Sequence, residues 1–227
     1  MTLSVIIPTL NEAAALPLLL HDLHQQTGVT LEIIVADGGS SDGTAERAAA
    51  QGASVVTAAR GRATQMNAGR RQARFPYLLF LHADSRLPAP GLVSEALTAL
   101  RAAGDTAAGH FGLRFERQQL GHDFFYRSVE GKTRSNRRYS INGDQGLLIS
   151  ARFFDALGGY DQRLPFLEDQ RISTRITEAG HWIVLPGDLV TSARRFECEG
   201  HAERYALMAL MMGAHAVRLD EFFAHAP

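Results

Sequence analysis

A single cysteine, Cys198, stands in the whole chain. No internal disulfide can form, so a reducing compartment fits and an oxidising one is not required. Neither charge is in surplus: 23 Lys and Arg meet 24 Asp and Glu. A duplex-binding domain ordinarily carries a basic excess, so nucleic acid is not the expected partner. No apolar run reaches the roughly 18 to 20 residues of a membrane span. The nearest candidate, 205–219, is too short and holds His215 and Arg218. The first residues lack a basic stretch and read as a buried strand, not a signal peptide, and a cytoplasmic location is expected. Glycine is missing from the turn after that strand, Thr9-Leu-Asn-Glu12, where a dinucleotide-binding GxGxxG would need it. Internal repeats, linkers and low-complexity segments are missing too, so 1–227 reads as one domain.

What is there is an alternation of strand and helix signals. Residues 3–8, 31–36, 54–58 and 77–82 are continuous apolar runs, the pattern of a parallel sheet covered on both faces. Helical spacing occupies 11–25 (Asn11 as N-cap), 44–51, 63–73 and 91–103. The βαβα order predicts an open doubly wound α/β sheet that binds ligands beyond the carboxyl ends of its strands. The second half is less regular. Strands are expected at 109–116, 146–150, 181–185 and 189–193, and helices at 120–131, 151–157, 170–179 and about 201–224. Residues 132–143 are polar, basic and aperiodic, and read as a mobile loop.

Carboxylates stand at the strand ends. Asp37 follows the second strand, Asp84 follows the fourth in Leu81-His-Ala-Asp84, and Glu168-Asp169 lies at a loop-to-helix junction. Any one of them reads equally as a turn former or helix cap. Asp42, in Asp42-Gly43, is best explained that way. Together they match the needs of glycosyl transfer from a nucleotide sugar. Asp84 would hold a divalent cation, Mn²⁺ or Mg²⁺, against the diphosphate. Asp169 or Glu168 would act as general base on the acceptor hydroxyl. Asp37 would hold the base or ribose.

Several segments resemble the family-2, GT-A-fold glycosyltransferases. Ser4-Val-Ile-Ile-Pro-Thr-Leu-Asn-Glu12 resembles that family's first strand and nucleotide-contacting loop, which implicates Pro8, Thr9, Asn11 and Glu12. Ala36-Asp-Gly-Gly-Ser-Ser-Asp-Gly-Thr44 resembles the motif whose Asp, here Asp37, binds the base. Leu81-His-Ala-Asp84 stands where the family has its metal-binding DxD, which implicates His82, Ala83 and Asp84. Gly143-Asp-Gln-Gly146, Leu157-Gly-Gly-Tyr-Asp161 and Leu167-Glu-Asp169 resemble acceptor-side segments, implicating Gly143, Asp144 and Gln145, and Asp169 stands for the usual catalytic base. The resemblance runs from residue 3 to about 195. It implies a nucleotide-sugar-binding half over 1–105, a smaller mixed acceptor half with a C-terminal helix over 106–227, a UDP-sugar donor and inversion at the sugar. A subgroup of small bacterial transferases carries LHAD in place of DxD, and some are linked to arsenosugar biosynthesis. His82 in the first DxD position is either a softer ligand favouring Mn²⁺, an orienting partner of Asp84 or a ribose contact. Gln170-Arg-Ile-Ser-Thr-Arg175 only partly echoes the family's QxxRW, which argues against a processive polymer synthase.

Other residues border the same crevice. Arg62 is suited to a phosphate, and Gln65 and Asn67 to the base or ribose. Lys132, Arg137 and Arg138 would line a lid that closes on the diphosphate and excludes water. His201 is more a surface residue than a metal ligand. The tail is expected to coat the sheet or pair two subunits in a homodimer. A peripheral membrane contact is the weaker reading because the tail lacks Lys/Arg enrichment. Two alternatives remain. A sugar-nucleotide pyrophosphorylase would want a Gly-rich basic loop after the first strand, and a non-catalytic nucleotide-sugar sensor would have no use for Asp169.

Overall fold

The computed structural model describes residues 1–117, 122–135, 141, 143–164 and 167–193, with 197, 198, 200, 203, 206, 210 and 213 beyond them. The elements run β1 (Thr2–Thr9), α1 (Leu16–His24), β2 (Thr30–Asp37), α2 (Thr44–Ala50), β3 (Ser54–Thr57), α3 (Arg62–Gln72), β4 (Tyr77–Phe80), β5 (Ser85–Arg86), α4 (Leu92–Ala103), β6 (Ala107–Glu116), α5 (Asp123–Thr133), a 3-10 turn (Gly143–Gln145), β7 (Leu147–Ser150), α6 (Ala151–Ala156), α7 (Glu168–Ala179) and β8 (His181–Ser192).

These strands make one mostly parallel sheet in the order β3-β2-β1-β4-β7-β6-β8-β5. β3, β2, β1 and β4 are mutually parallel. β7 runs antiparallel to both β4 and β6 and joins the two halves. β6 and β8 are parallel, and β5 closes the far edge antiparallel to β8.

Strand periodicity sorts the apolar side chains into two layers. Leu3, Val5 and Ile7 of β1, with Ile33 and Val35 of β2, pack under α1, α2 and α4. Ile6 and Ile34 point the other way, to α3, α6 and α7. Burying both faces is what continuous apolar strands require, and each such side chain contributes about 1.5–3 kcal/mol. Gly69 lets α3 lie directly on β1, because a Cβ there would collide with the Ile6 side chain.

The order 3-2-1-4 creates the crevice. After β3 the chain crosses back over β1 to β4, so the connections leaving β1 and β4 diverge and open a cleft beyond their carboxyl ends.

Three expectations need correction, and one strand was not expected. Asn11 does not cap α1: it sits at φ 56, and the helix starts at Leu16 behind Ala15. Lys132 is not in a loop but in the last turn of α5. β5 went unpredicted because two residues carry no periodicity. The two strands expected at 181–185 and 189–193 are one, β8, with the break absorbed by a register shift opposite His110 and Gly112. Arg137, Arg138 and His201 lie outside the described residues. So does most of the tail, of which Glu203, Ala206, Leu210 and Gly213 are helical.

Candidate active site

Two loops form the floor of the crevice. β1 and β2 end in register at Thr9 and Asp37, and the segments beyond them are laced together. The Asp37 carboxylate, 4% exposed, accepts the Thr9 hydroxyl at 3.1 Å, the Gly39 N–H at 2.9 Å, and the Ser40 N–H and hydroxyl at 2.8 and 2.5 Å. Burial would raise its pKa, but these donors outweigh that and hold it below the usual range. The Asn11 N–H donates to the Ser40 hydroxyl at 2.8 Å, and Asn11 Oδ1 accepts the Ser41 N–H at 2.9 Å. The Glu12 N–H donates to Thr44 Oγ1 and the Ala13 N–H to Asp42. Asp42 also accepts the Thr44 N–H ahead of α2, the turn-forming role its sequence predicts.

Gln65 and Asn67, expected at the base or ribose, are committed elsewhere. Gln65 is 4% exposed, and its amide donates to the carbonyls of Thr9 and Ala36, each at 2.8 Å, stapling the ends of β1 and β2 from beneath. Asn67 donates to the Tyr160 carbonyl at 2.8 Å and accepts the Tyr160 N–H at 3.1 Å. Both amides satisfy buried backbone groups, which strand ends and tight turns leave without partners.

The opposite wall comes from the start of α7. Leu167, at φ 63, turns the chain so that Glu168 and Asp169 open the helix. A left-handed Leu costs about 1–3 kcal/mol, and such strain gathers at functional sites. Glu168 is 3% exposed and pairs with Arg62 Nε at 2.6 Å. Burial raises its pKa; Arg62 opposes the shift, Asp169 adds to it, and the net is upward. Asp169 is half-buried and accepts the Gly143 N–H on one oxygen and the Gln170 N–H on the other, each at 2.8 Å. Through Gly143 it reaches the 3-10 turn, whose Asp144 meets His82 Nδ1 at 2.8 Å. Burial would lower the pKa of His82; the hydrogen bond and charge of Asp144 outweigh it and raise the value. Nδ1 of His82 is held by Asp144, not by the Asp84 that the sequence offers as a partner to orient. Arg62, His82, Asp144, Glu168 and Asp169 thus form one cluster, with Asp84 two residues beyond His82.

Asp84 itself is half-buried, and among the described residues it has no hydrogen bond or ion pair. Pro8 and Ala83 are buried at their strand ends, and Gln145 is buried in the 3-10 turn. Lys132 is exposed on α5.

Sequence reasoning passed over the apolar wall. A narrow pocket of about 20 Å³ is lined by His82, Glu168 and Asp169 together with Met66, Tyr160 and Trp182. Tyr160 packs edge-on to Phe80 at 5.2 Å. Burial, then the nearby Glu168 and Asp169 charges, push its phenol well above the usual value, so it stays neutral. Its turn rests on Gly159, at φ 67 and against Asn67, and on Arg175, which donates to the Leu157 and Gly159 carbonyls. The Gly-Gly-Tyr-Asp run, read from the sequence as an acceptor-side segment without singling out Tyr160, was the available signal.

Known proteins match this arrangement. The model of "Glycosyl transferase family 2" matches residues 4–154. The succinoglycan biosynthesis protein ExoA of Rhizobium meliloti (strain 1021) is 29% identical over 79% of this chain and 59% of its own length. A crystal structure of S. aureus TarS 1-349 with UDP superposes with a TM-score of 0.68 at 16% identity, covering 85% of this chain and 61% of that one. The mannosyltransferase PcManGT from Pyrobaculum calidifontis, with GDP-Man and Mn²⁺, superposes with a TM-score of 0.70 at 21% identity, covering 95% and 64%. At such identities the structural likeness speaks for the fold, the GT-A α/β architecture. The chain spans about three fifths of the length of these relatives.

Proposed function

The chain belongs to glycosyl transferase family 2, and from that premise we propose that it transfers a sugar from a nucleoside diphosphate sugar, a UDP-sugar by preference, to an acceptor hydroxyl with inversion. The observation that carries this is the anchoring of Asp169 to the Gly143 N–H, beside the His82–Asp144 pair and the Asp84 strand end. It sets a carboxylate across the crevice from where a donor diphosphate would lie.

Asp169 is the general base. Both its oxygens are oriented by backbone N–H groups, and it faces the cavity. It takes the acceptor's hydroxyl proton as that oxygen attacks the anomeric carbon, and the nucleoside diphosphate leaves with the bonding pair. Glu168 is tied to Arg62 and fixes that guanidinium at the cleft, where its remaining N–H groups face an incoming phosphate. The imidazole of His82, held by Asp144 at 2.8 Å, stands near that guanidinium. Asp37 shapes the loop on which the nucleotide base rests, and Thr9 and Asn11 complete that loop.

The donor set fits a divalent cation in one manner. Among the described residues no three His, Cys, Asp or Glu side chains gather to hold an ion alone. Asp84 is an uncommitted carboxylate, which suits an ion completed by diphosphate oxygens. When bound, the ion neutralises charge on the departing diphosphate. Titration of Mn²⁺ with and without UDP tests this by heat or paramagnetic relaxation, apart from any turnover. The sequence Leu81-His-Ala-Asp84 is also our ground for setting the chain with the LHAD subgroup and its arsenosugar link. Transfer confined to an unrelated acceptor contradicts that last step.

Asp169→Asn tests the base assignment. We expect turnover to fall by about 10²–10⁴-fold while donor affinity stays within a few-fold. Unchanged turnover contradicts the assignment. A wild-type chain that binds donor but transfers to no acceptor supports a sensor instead.

A further inference from the structure

Asp22 stands on the buried side of α1 with Leu19, Leu20 and Leu23, and is 8% exposed. A charge buried there is costly unless it is paired and hydrogen-bonded. Its Oδ2 accepts Arg86 Nε at 2.6 Å and the Leu87 N–H at 3.0 Å, and its Oδ1 accepts Arg86 Nη2 at 3.0 Å. Burial would raise its pKa, but these donors outweigh that and hold the carboxylate below the usual range. The two-pronged pairing fixes direction as well as distance. One turn on, Gln26 donates to the Ala89 carbonyl at 2.9 Å and accepts the Val93 N–H at 3.1 Å. The Thr27 N–H donates to the Pro90 carbonyl at 2.7 Å. The end of α1 thus holds the run 86–93, up to the first turn of α4.

That run begins two residues after Asp84. The Leu81 N–H donates to the Ile6 carbonyl and the Ser85 N–H to the His82 carbonyl, each at 3.1 Å, so a single turn carries the chain over 82–85. Ser85 and Arg86 then pair with Thr191 and Val190 of β8. Asp84 stands between these anchors, and among the described residues its own carboxylate has no hydrogen bond or ion pair. Its direction is therefore set by the backbone alone, by β1 ahead of it and by β8 and Asp22 behind it. β5 is only two residues long, at the sheet edge, so its pairing is the weaker hold and the Asp22 fork the firmer one. The same helix leaves the 9–12 loop, with the Leu16 N–H on the Glu12 carbonyl at 2.9 Å. One helix thus spans the two loops proposed to flank the nucleotide.

Groups that orient a metal ligand govern affinity nearly as the ligand does, because a carboxylate held loosely loses its geometry. Given the proposed role of Asp84 as ion ligand, on which this rests, we propose that Asp22 is a positioning residue for that site: by gripping Arg86 and the Leu87 N–H it fixes the backbone that aims Asp84 at the ion and the diphosphate. Asp22 is no ligand itself and acts through Asp84.

The test is calorimetric titration of the full chain with UDP, alone and with saturating Mn²⁺. In Asp22→Asn and in Arg86→Gln, UDP alone should bind as it does to the wild type, because the loops at Thr9 and Asp37 are untouched, and that binding certifies the fold. The strengthening of UDP binding by Mn²⁺ should fall by about tenfold, the lower end for partners that orient metal ligands. In an Asp84→Ala background, Asp22→Asn should change nothing further, since its route to the ion is already gone. Full strengthening by Mn²⁺ in both variants overturns the proposal. A loss shared equally by UDP alone and UDP with Mn²⁺ overturns it too, because a merely structural ion pair would give that result. So does a further loss of UDP affinity when Asp22→Asn is added to Asp84→Ala. Wild-type UDP binding that Mn²⁺ does not strengthen contradicts the ion role of Asp84 itself and takes this proposal with it.

Discussion

Asp161 illustrates how single residues hold the site. The Arg163 hydrogen bond, opposed by burial and helped by Arg175, brings its pKa from 3.8 to about 2. A carboxylate with a depressed folded pKa stabilises the fold above its unfolded pKa, and that contribution is lost as pH falls through the folded value. Asp161→Asn should therefore lower the thermal midpoint near neutral pH, with the gap closing as pH falls from 3.8 toward about 2. A gap independent of pH contradicts the electrostatic origin. The same scale shows where sequence reading reached its end. The positions of Asp37, Asp84 and Asp169, after strands or before a helix, were legible, and their roles remain proposals. The roles of Gln65 and Asn67 were not legible. A polar residue near a crevice looks alike whether its amide faces a ligand or staples a carbonyl, and only burial and partner geometry separate the two.

Among elements, β1 to β4 and their helices were legible because a strand covered on both faces is apolar at every position. β8 was not, because Pro186-Gly187-Asp188 reads as a break. The strand nevertheless continues: β6 pairs Val184 with His110 and Asp188 with Gly112, so the intervening residues bulge out. The turn before α7 had no periodic signal either, yet it supplies the Tyr160 wall. It is clamped by α3 through Asn67 and by α7 through Arg175. Asn67→Ala should cost about 1–3 kcal/mol, since two partly buried backbone groups lose their partners. Chemical denaturation measures it. A loss below the error of that experiment means the clamp is not what holds the turn.

At the scale of the molecule, one sheet runs through both expected halves, 1–105 and 106–227, with β7 as the seam between β4 and β6. The half proposed to meet the nucleotide was readable as alternating β and α. The half that brings Asp169 across the crevice was readable only from the order of its motifs, because long-range pairing such as Gly143 with Asp169 leaves no local trace. The central claim lies in the first half: we propose that a nucleoside diphosphate lies between the β1 and β4 strand ends, completed by an ion on Asp84. Calorimetric titration with UDP and GDP, each with and without Mn²⁺, tests it most directly. The account predicts UDP binding that strengthens with Mn²⁺ and loses that dependence in Asp84→Ala. Absence of binding by either nucleotide with either metal condition contradicts it.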